Sequence, residues 1–171
     1  MPRRLDTLPL GNIGPVNPVE MFRHFDFDPH GPTERDLAFT MAPDALTAFR
    51  QGVTSWIAAE LLKARKGELP IADPNNVTAV EEAVDAFRHA LWNYRMAKSL
   101  GSDKAKQFGD AYERHTDNPL GDRLMDLHNN KVGRQLAAEE RNRSRPDEEV
   151  ILEALGAGKL RLRPYLIADG L

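Results

Sequence analysis

The chain has 171 residues, no cysteine, and 23 Lys+Arg against 26 Asp+Glu, for a net charge of −3. Its length suits one domain with one sizeable core. The absence of cysteine excludes disulfides, zinc–cysteine sites, iron–sulfur clusters and a Cys nucleophile, and the near-neutral charge argues against nucleic acid as a structural partner.

The first 43 residues hold seven of the twelve prolines, among them Pro2, Pro9, Pro15 and Pro18. Proline fixes φ and removes a donor, so long helices are not expected here. The apolar residues Leu8, Leu10, Ile13, Met21, Phe22, Phe25 and Phe27 suggest an extended arm packed on the rest of the chain. Within it, His24, Asp26, Asp28 and His30 would share one side of an extended strand. They would then be either four metal ligands or a solvated edge over buried Phe25 and Phe27.

Pro43-Asp44 opens a helical pattern to about Lys66, with Leu46, Phe49, Val53, Trp56, Ile57 and Leu61 at spacings of three and four. A loop over 68–76 follows. Thr78, with Glu81 three residues on, resembles a capping box and opens a helix to Leu100. At 1.5 Å per residue that helix is about 33 Å long. Further helices are predicted from Ser102 to about His115, from Leu120 to about Arg141, and from Asp147 to Leu155. The tail alternates over Leu160-Arg161-Leu162-Arg163, as a short strand or extended strip does.

The expected class is therefore mainly α. It is a compact bundle of about five helices with an extended Pro-rich arm (1–43), a helical domain (44–171) and a short extended C-terminal tail. No apolar run reaches the roughly 18 residues of a membrane span. Met1-Pro2-Arg3-Arg4 is basic, but no apolar segment follows it. The expected location is the cytoplasm, or outside it by export without a cleaved signal.

Two helices carry unusual polar stripes. In 78–100, Val80, Val84, Phe87, Leu91 and Tyr94 form one apolar face, while Asp85, His89, Trp92 and Met96 form a second. A helix contacted on both sides brings Asp85 and His89 to the interior, where their charges need partners. In 120–141, Asp126, Asn129, Asn130 and Gly133 lie between apolar stripes. Gly133 costs about 1 kcal/mol relative to Ala there, which is tolerable where another helix or a ligand approaches closely. Glu113 and His115 end the short helix between the two.

The runs Asp85-Ala86-Phe87-Arg88-His89-Ala90-Leu91-Trp92, Ala111-Tyr112-Glu113 and Met125-Asp126-Leu127-His128-Asn129-Asn130-Lys131-Val132-Gly133-Arg134 resemble an uncharacterised bacterial all-helical domain. That domain is seen in small stand-alone proteins and in toxin-like polypeptides. The resemblance covers about residues 80–137 and implies no particular reaction. The sequence departs from the pattern at Tyr112, where the family has His; His115 is a candidate substitute.

If the three helices are neighbours, His89, Glu113 and Asp126 converge. One imidazole and two carboxylates suit a divalent metal such as Zn, Mn or Mg. Asp85, Glu113 or His128 would then carry protons, and Arg88 and Arg134 would hold an anionic, phosphodiester-containing substrate. This gives a metal-dependent hydrolase. A metal-free variant pairs His89 with Asp85 as acid and base. The alternative is a non-enzymatic interaction module. Its Asp85/His89/Asn129/Asn130 cluster is a structural hydrogen-bond network, and its arm docks on a partner or a second copy. The basic clusters Arg141/Arg143/Arg145 and Lys159/Arg161/Arg163 would serve a nucleic-acid binder, the reading least suited to the charge.

Overall fold

Prolines start helices in this chain as well as limiting them, because the first N–H of a helix has no partner to lose. The computed structural model describes residues 14–168. In it Asn17 accepts from the N–H groups of Val19 and Glu20, and Pro18 opens α1, Pro18–Phe25. Thr33 and Asp36 form a reciprocal capping box that opens α2, Glu34–Thr40. The described part of the arm thus holds two short helices where an extended path was expected. The segment with Pro2, Leu8, Pro9, Leu10 and Ile13 lies outside the described residues. Asp26 closes α1 in the left-handed conformation (φ 49°). His24, Asp26, Asp28 and His30 therefore do not share one side of a strand. Phe25 and Phe27 are buried, and with Met21 they pack on Leu124, Leu127 and Tyr165.

Five longer helices follow: α3 (Ala42–Ala64), α4 (Val77–Leu100), α5 (Ser102–His115), α6 (Leu120–Ala138) and α7 (Asp147–Gly156). Asn76 caps α4 by accepting from the N–H of Ala79, two residues earlier than the Thr78 box would have placed the cap. α6 ends before Arg141, and Glu140–Asn142 continues it as a 3-10 turn. The tail forms no strand at 160–163. Its one pairing among the described residues is a parallel bridge between Ile167 and Val16. No helix among those residues is long and apolar enough to cross a membrane.

α4 lies at the centre, packed by α3, α5, α6 and α7. Its apolar face, with Val80, Val84, Phe87, Leu91 and Tyr94, shares a core with Leu136, Val150, Ile151 and Leu155. Its second face meets α5 and α6. The hydrogen-bonded pairs His89–Asn130 and Asn93–Arg134 both span 41 residues. A constant offset means that α4 and α6 run side by side in the same direction, with α5 returning between their ends. Gly133 makes this approach close, since a Cβ there would overlap the carbonyl of Ala90.

α3 is turned the opposite way from its apolar pattern. Ala48, Ser55, Ala59 and Leu62 are buried, whereas Leu46, Phe49, Val53, Trp56, Ile57 and Leu61 are exposed. The small face brings the α3 backbone near α4, where the Trp92 indole N–H donates to the Ala48 carbonyl at 3.0 Å.

Gly133→Ala should destabilise the protein. Ala gains about 1 kcal/mol in helix propensity, but overlap with a neighbouring backbone costs about 2–3 kcal/mol. The expected net loss is about 1–2 kcal/mol, read from the urea unfolding midpoint. An unchanged or raised midpoint would contradict the close contact of α4 with α6.

Candidate functional site

Three helices supply the polar cluster. α4 presents Asp85, Arg88 and His89 on successive turns, α5 brings Glu113 near its C-terminal end, and α6 presents Asp126 and Asn130 one turn apart. His89, Glu113, Asp126 and Asn130 are buried, Glu113 and Asn130 completely.

The two ring nitrogens of His89 face different groups. Nδ1 lies 3.3 Å from Asn130 Oδ1 and 3.4 Å from Glu113 Oε1. Both are acceptors, so Nδ1 carries the proton. The Asn130 amide donates to the same Glu113 oxygen at 3.0 Å, which fixes the carboxylate and the ring together. On the other side, Nε2 lies 3.6 Å from Asp126 Oδ1 and 3.8 Å from Asp85 Oδ1. One ligand atom from each of Asp85, His89 and Asp126 lies within 4.8 Å of the others, a spacing that could hold a metal ion.

Charge at the cluster is unbalanced. Arg88 Nη2 donates to Asp85 Oδ1 at 2.6 Å and to His89 Nε2 at 2.9 Å, so it is the protein's own cation at this point. Asp126 Oδ1 and Glu113 Oε2 are buried with no hydrogen-bond partner. Such atoms are expensive to leave unsatisfied. Burial pushes the Asp126 carboxyl up to about 7, against the opposing pull of His89. Burial alone would lower the His89 pKa, but the Asp126 and Glu113 carboxylates outweigh it and raise the ring to about 9. The bond from Arg88 requires a lone pair on Nε2, whereas the carboxylates favour a proton there. The 2.9 Å contact with Arg88 is a hydrogen bond only in the neutral ring with Nδ1–H, the form that a cation at Nε2 would also require. The Nε2 side thus gathers two carboxylates, Asp85 and Asp126, against one guanidinium, Arg88.

Several sequence expectations change. Glu113 lies behind His89, against Nδ1, while Asp85 stands on the Nε2 side; the metal-spaced set is Asp85, His89 and Asp126 rather than His89, Glu113 and Asp126. His128 points away from the cluster, with its Nε2 bonded to the Lys159 carbonyl at 2.9 Å. Arg134 is buried and donates to Asn93 Oδ1 at 2.8 Å, one turn beyond His89, so it is engaged within the helix packing. His115 is exposed at the end of α5 and does not replace the family's His. Tyr112 instead stands edge-on to both His89 and Trp92, with ring centroids 6.2 and 5.3 Å apart. Asn118, just before α6, extends its amide to Asp126 Oδ2 at 3.5 Å. The basic knot is neutralised by its neighbours, as Arg141, Arg143 and Arg145 pair with Glu139, Glu140 and Glu153.

Asn129 and Asn130 have separate tasks. Asn130 belongs to the cluster. Asn129 faces the tail, donating to the Arg161 carbonyl at 2.9 Å and accepting from the Arg161 N–H at 2.8 Å. Asn129→Ala strands two buried backbone groups. It should lower stability by about 2–4 kcal/mol, measured by urea unfolding, and leave His89 in place. A change below about 0.5 kcal/mol would show that the tail is not held by this clasp.

A family model described as a domain of unknown function (DUF6973) matches residues 56–159. Neither curated proteins nor solved structures give a match. The matched segment includes Asp85, His89, Glu113, Asp126 and Asn130. By that match over more than half its length, the chain belongs to the DUF6973 family.

Proposed function

We propose that this domain is a divalent-cation-dependent hydrolase acting on a phosphodiester. The observation that carries the reading is the Nε2 side of His89. There, ligand atoms of Asp85, His89 and Asp126 converge, and a buried Asp126 oxygen has no hydrogen-bond partner. A divalent ion would be held by these three side chains. Glu113 and Asn130 support the set from behind by fixing the ring through Nδ1, as a carboxylate commonly does for a metal-ligating histidine.

A bound ion would supply Lewis acidity and a lower pKa for water. The chain's own residues supply the rest. In hydrolysis, water oxygen forms a bond to phosphorus, the ester P–O bond breaks, and the water proton must leave. Asp85 can accept it, because its side chain is 39% exposed and faces solvent at the mouth of the cluster. Glu113 and His128 cannot, as one is sealed behind His89 and the other faces the tail. The leaving oxygen regains a proton from solvent. Arg88, on the rim, is free to turn from Asp85 to a phosphate oxygen once an ion takes over its charge-balancing role.

The Arg88 bridge also favours a second reading. With Arg88 already joining Asp85 to His89, the cluster can serve as a structural network in an interaction module.

Calorimetric titration with Zn²⁺, Mn²⁺ and Mg²⁺ separates the two. The hydrolase reading expects one ion per chain and at least about a hundredfold weaker binding in His89→Ala and Asp126→Asn. It expects a loss of about ten- to a hundredfold in Glu113→Gln, and binding that is kept or tightened in Arg88→Ala. Hydrolysis of bis(p-nitrophenyl) phosphate should follow the same order, apart from Arg88→Ala, which should lose turnover. If the folded wild type takes up none of these ions, the metal reading fails and the structural network stands.

A further inference from the structure

Two members of the cluster, Arg88 and His89, line a cavity of about 640 Å³ between α2, α3, α4 and α5. That volume lies within the roughly 300–1,000 Å³ range of small-molecule sites. Its floor includes Arg88 and His89, and its walls are Phe49, Val53 and Trp56 from α3, Trp92 from α4, and Phe108 and Tyr112 from α5. The apolar wall continues onto the open face of α3, where Leu46 is 62% exposed, Phe49 68% and Trp56 55%. An apolar surface of this kind, left uncovered, marks a binding site more often than a solvated face.

The polar lining of the same cavity is mainly cationic. Arg35 on α2 and Arg88 on α4 both line it, against the single carboxylate of Glu34. Arg35 stands over the Phe39 ring, 5.8 Å from its centroid. One groove thus combines two guanidiniums and His89 with a larger set of aromatic and aliphatic side chains. A base-stacking nucleic acid would use the aromatic rings but not the aliphatic run of Leu46 and Val53, and it would meet a chain of net charge −3.

We propose that the groove binds an amphiphile with one alkyl chain and a phosphate head. The alkyl chain lies along Phe49, Val53 and Trp56, and the head sits by Arg35, Arg88 and His89. This names the substrate class for the hydrolase reading and rests on it for turnover, while binding is tested separately.

The chain has two tryptophans, and both Trp56 and Trp92 line the groove. Their fluorescence therefore reports occupancy directly. The full chain is titrated with dodecyl phosphate below its micellar concentration. A saturable blue shift is expected. Each methylene buried contributes up to roughly fourfold in affinity, so octyl phosphate, four methylenes shorter, should bind up to about 250-fold and at least about tenfold more weakly. Dodecanol and dodecyltrimethylammonium should also bind at least about tenfold more weakly, for lack of the anionic head. Val53→Asp places a charge on the exposed wall, and Arg35→Ala removes a head contact. Each should weaken binding about tenfold or more with the helical circular dichroism unchanged. Affinity independent of chain length, or equal binding of the cationic detergent, would overturn the proposal. So would a dodecyl phosphate shift abolished by dimerisation in sedimentation, or tighter binding of a single-stranded oligonucleotide at the same site. Metal uptake without dodecyl phosphate binding would overturn this inference alone. Dodecyl phosphate binding without metal uptake would keep the groove and overturn the hydrolase reading.

Discussion

The contact of α4 with α6 organises the molecule. Where Ala90 meets Gly133, two backbones come as near as helices can, and only glycine permits it. From that point the four-residue rhythm of both helices aligns. His89 faces Asn130, Asn93 faces Arg134, and Asp126 comes beside His89. A looser contact would let water between the helices and weaken the field that the carboxylates exert on the imidazole. The cluster follows from this packing and is not an addition to it.

Much of that arrangement is visible in the residues. The Asp85, His89, Trp92, Met96 stripe requires a helix covered on two sides, and α4 is such a helix. Gly133 in a helix interior asks for a close neighbour, and the neighbour is Ala90. Asn129 and Asn130 look alike in sequence, but neighbours in a helix point about 100° apart. One therefore reaches the cluster and the other the tail. The same rotation takes His128 out of the site. Nothing local to the sequence tells which of the three faces the imidazole; the register with α4 decides it. Likewise, Glu113 is identifiable as a member of the polar cluster, but its placement at Nδ1 rather than Nε2 depends on how α5 packs across α4.

α3 shows what periodicity alone leaves open: it marks the helix but not which face is buried. Its large apolar residues recur at helical spacing, which normally marks the buried stripe. Here the buried stripe is Ala48, Ser55 and Ala59, small enough for α3 to approach α4 and leave room for Trp92. The large residues then line the groove and face outward. A pattern of small residues opposite a stripe of large ones was present at 48, 55 and 59, and its spacing is as regular as that of the apolar set. The proline-rich arm leaves a related choice open, because proline at the first turn of a helix is compatible with helix formation and Asn17 and Thr33 supply the caps.

The account turns on whether the Nε2 side of His89 is a metal site or a closed ion-pair network. The most direct measurement is anomalous diffraction at the manganese edge from crystals grown with Mn²⁺. The account predicts one peak within coordination distance of His89 Nε2 and of carboxylate oxygens of Asp85 and Asp126, with Arg88 turned away from Nε2. No anomalous peak at this position, with Arg88 still bridging Asp85 and His89, would contradict it.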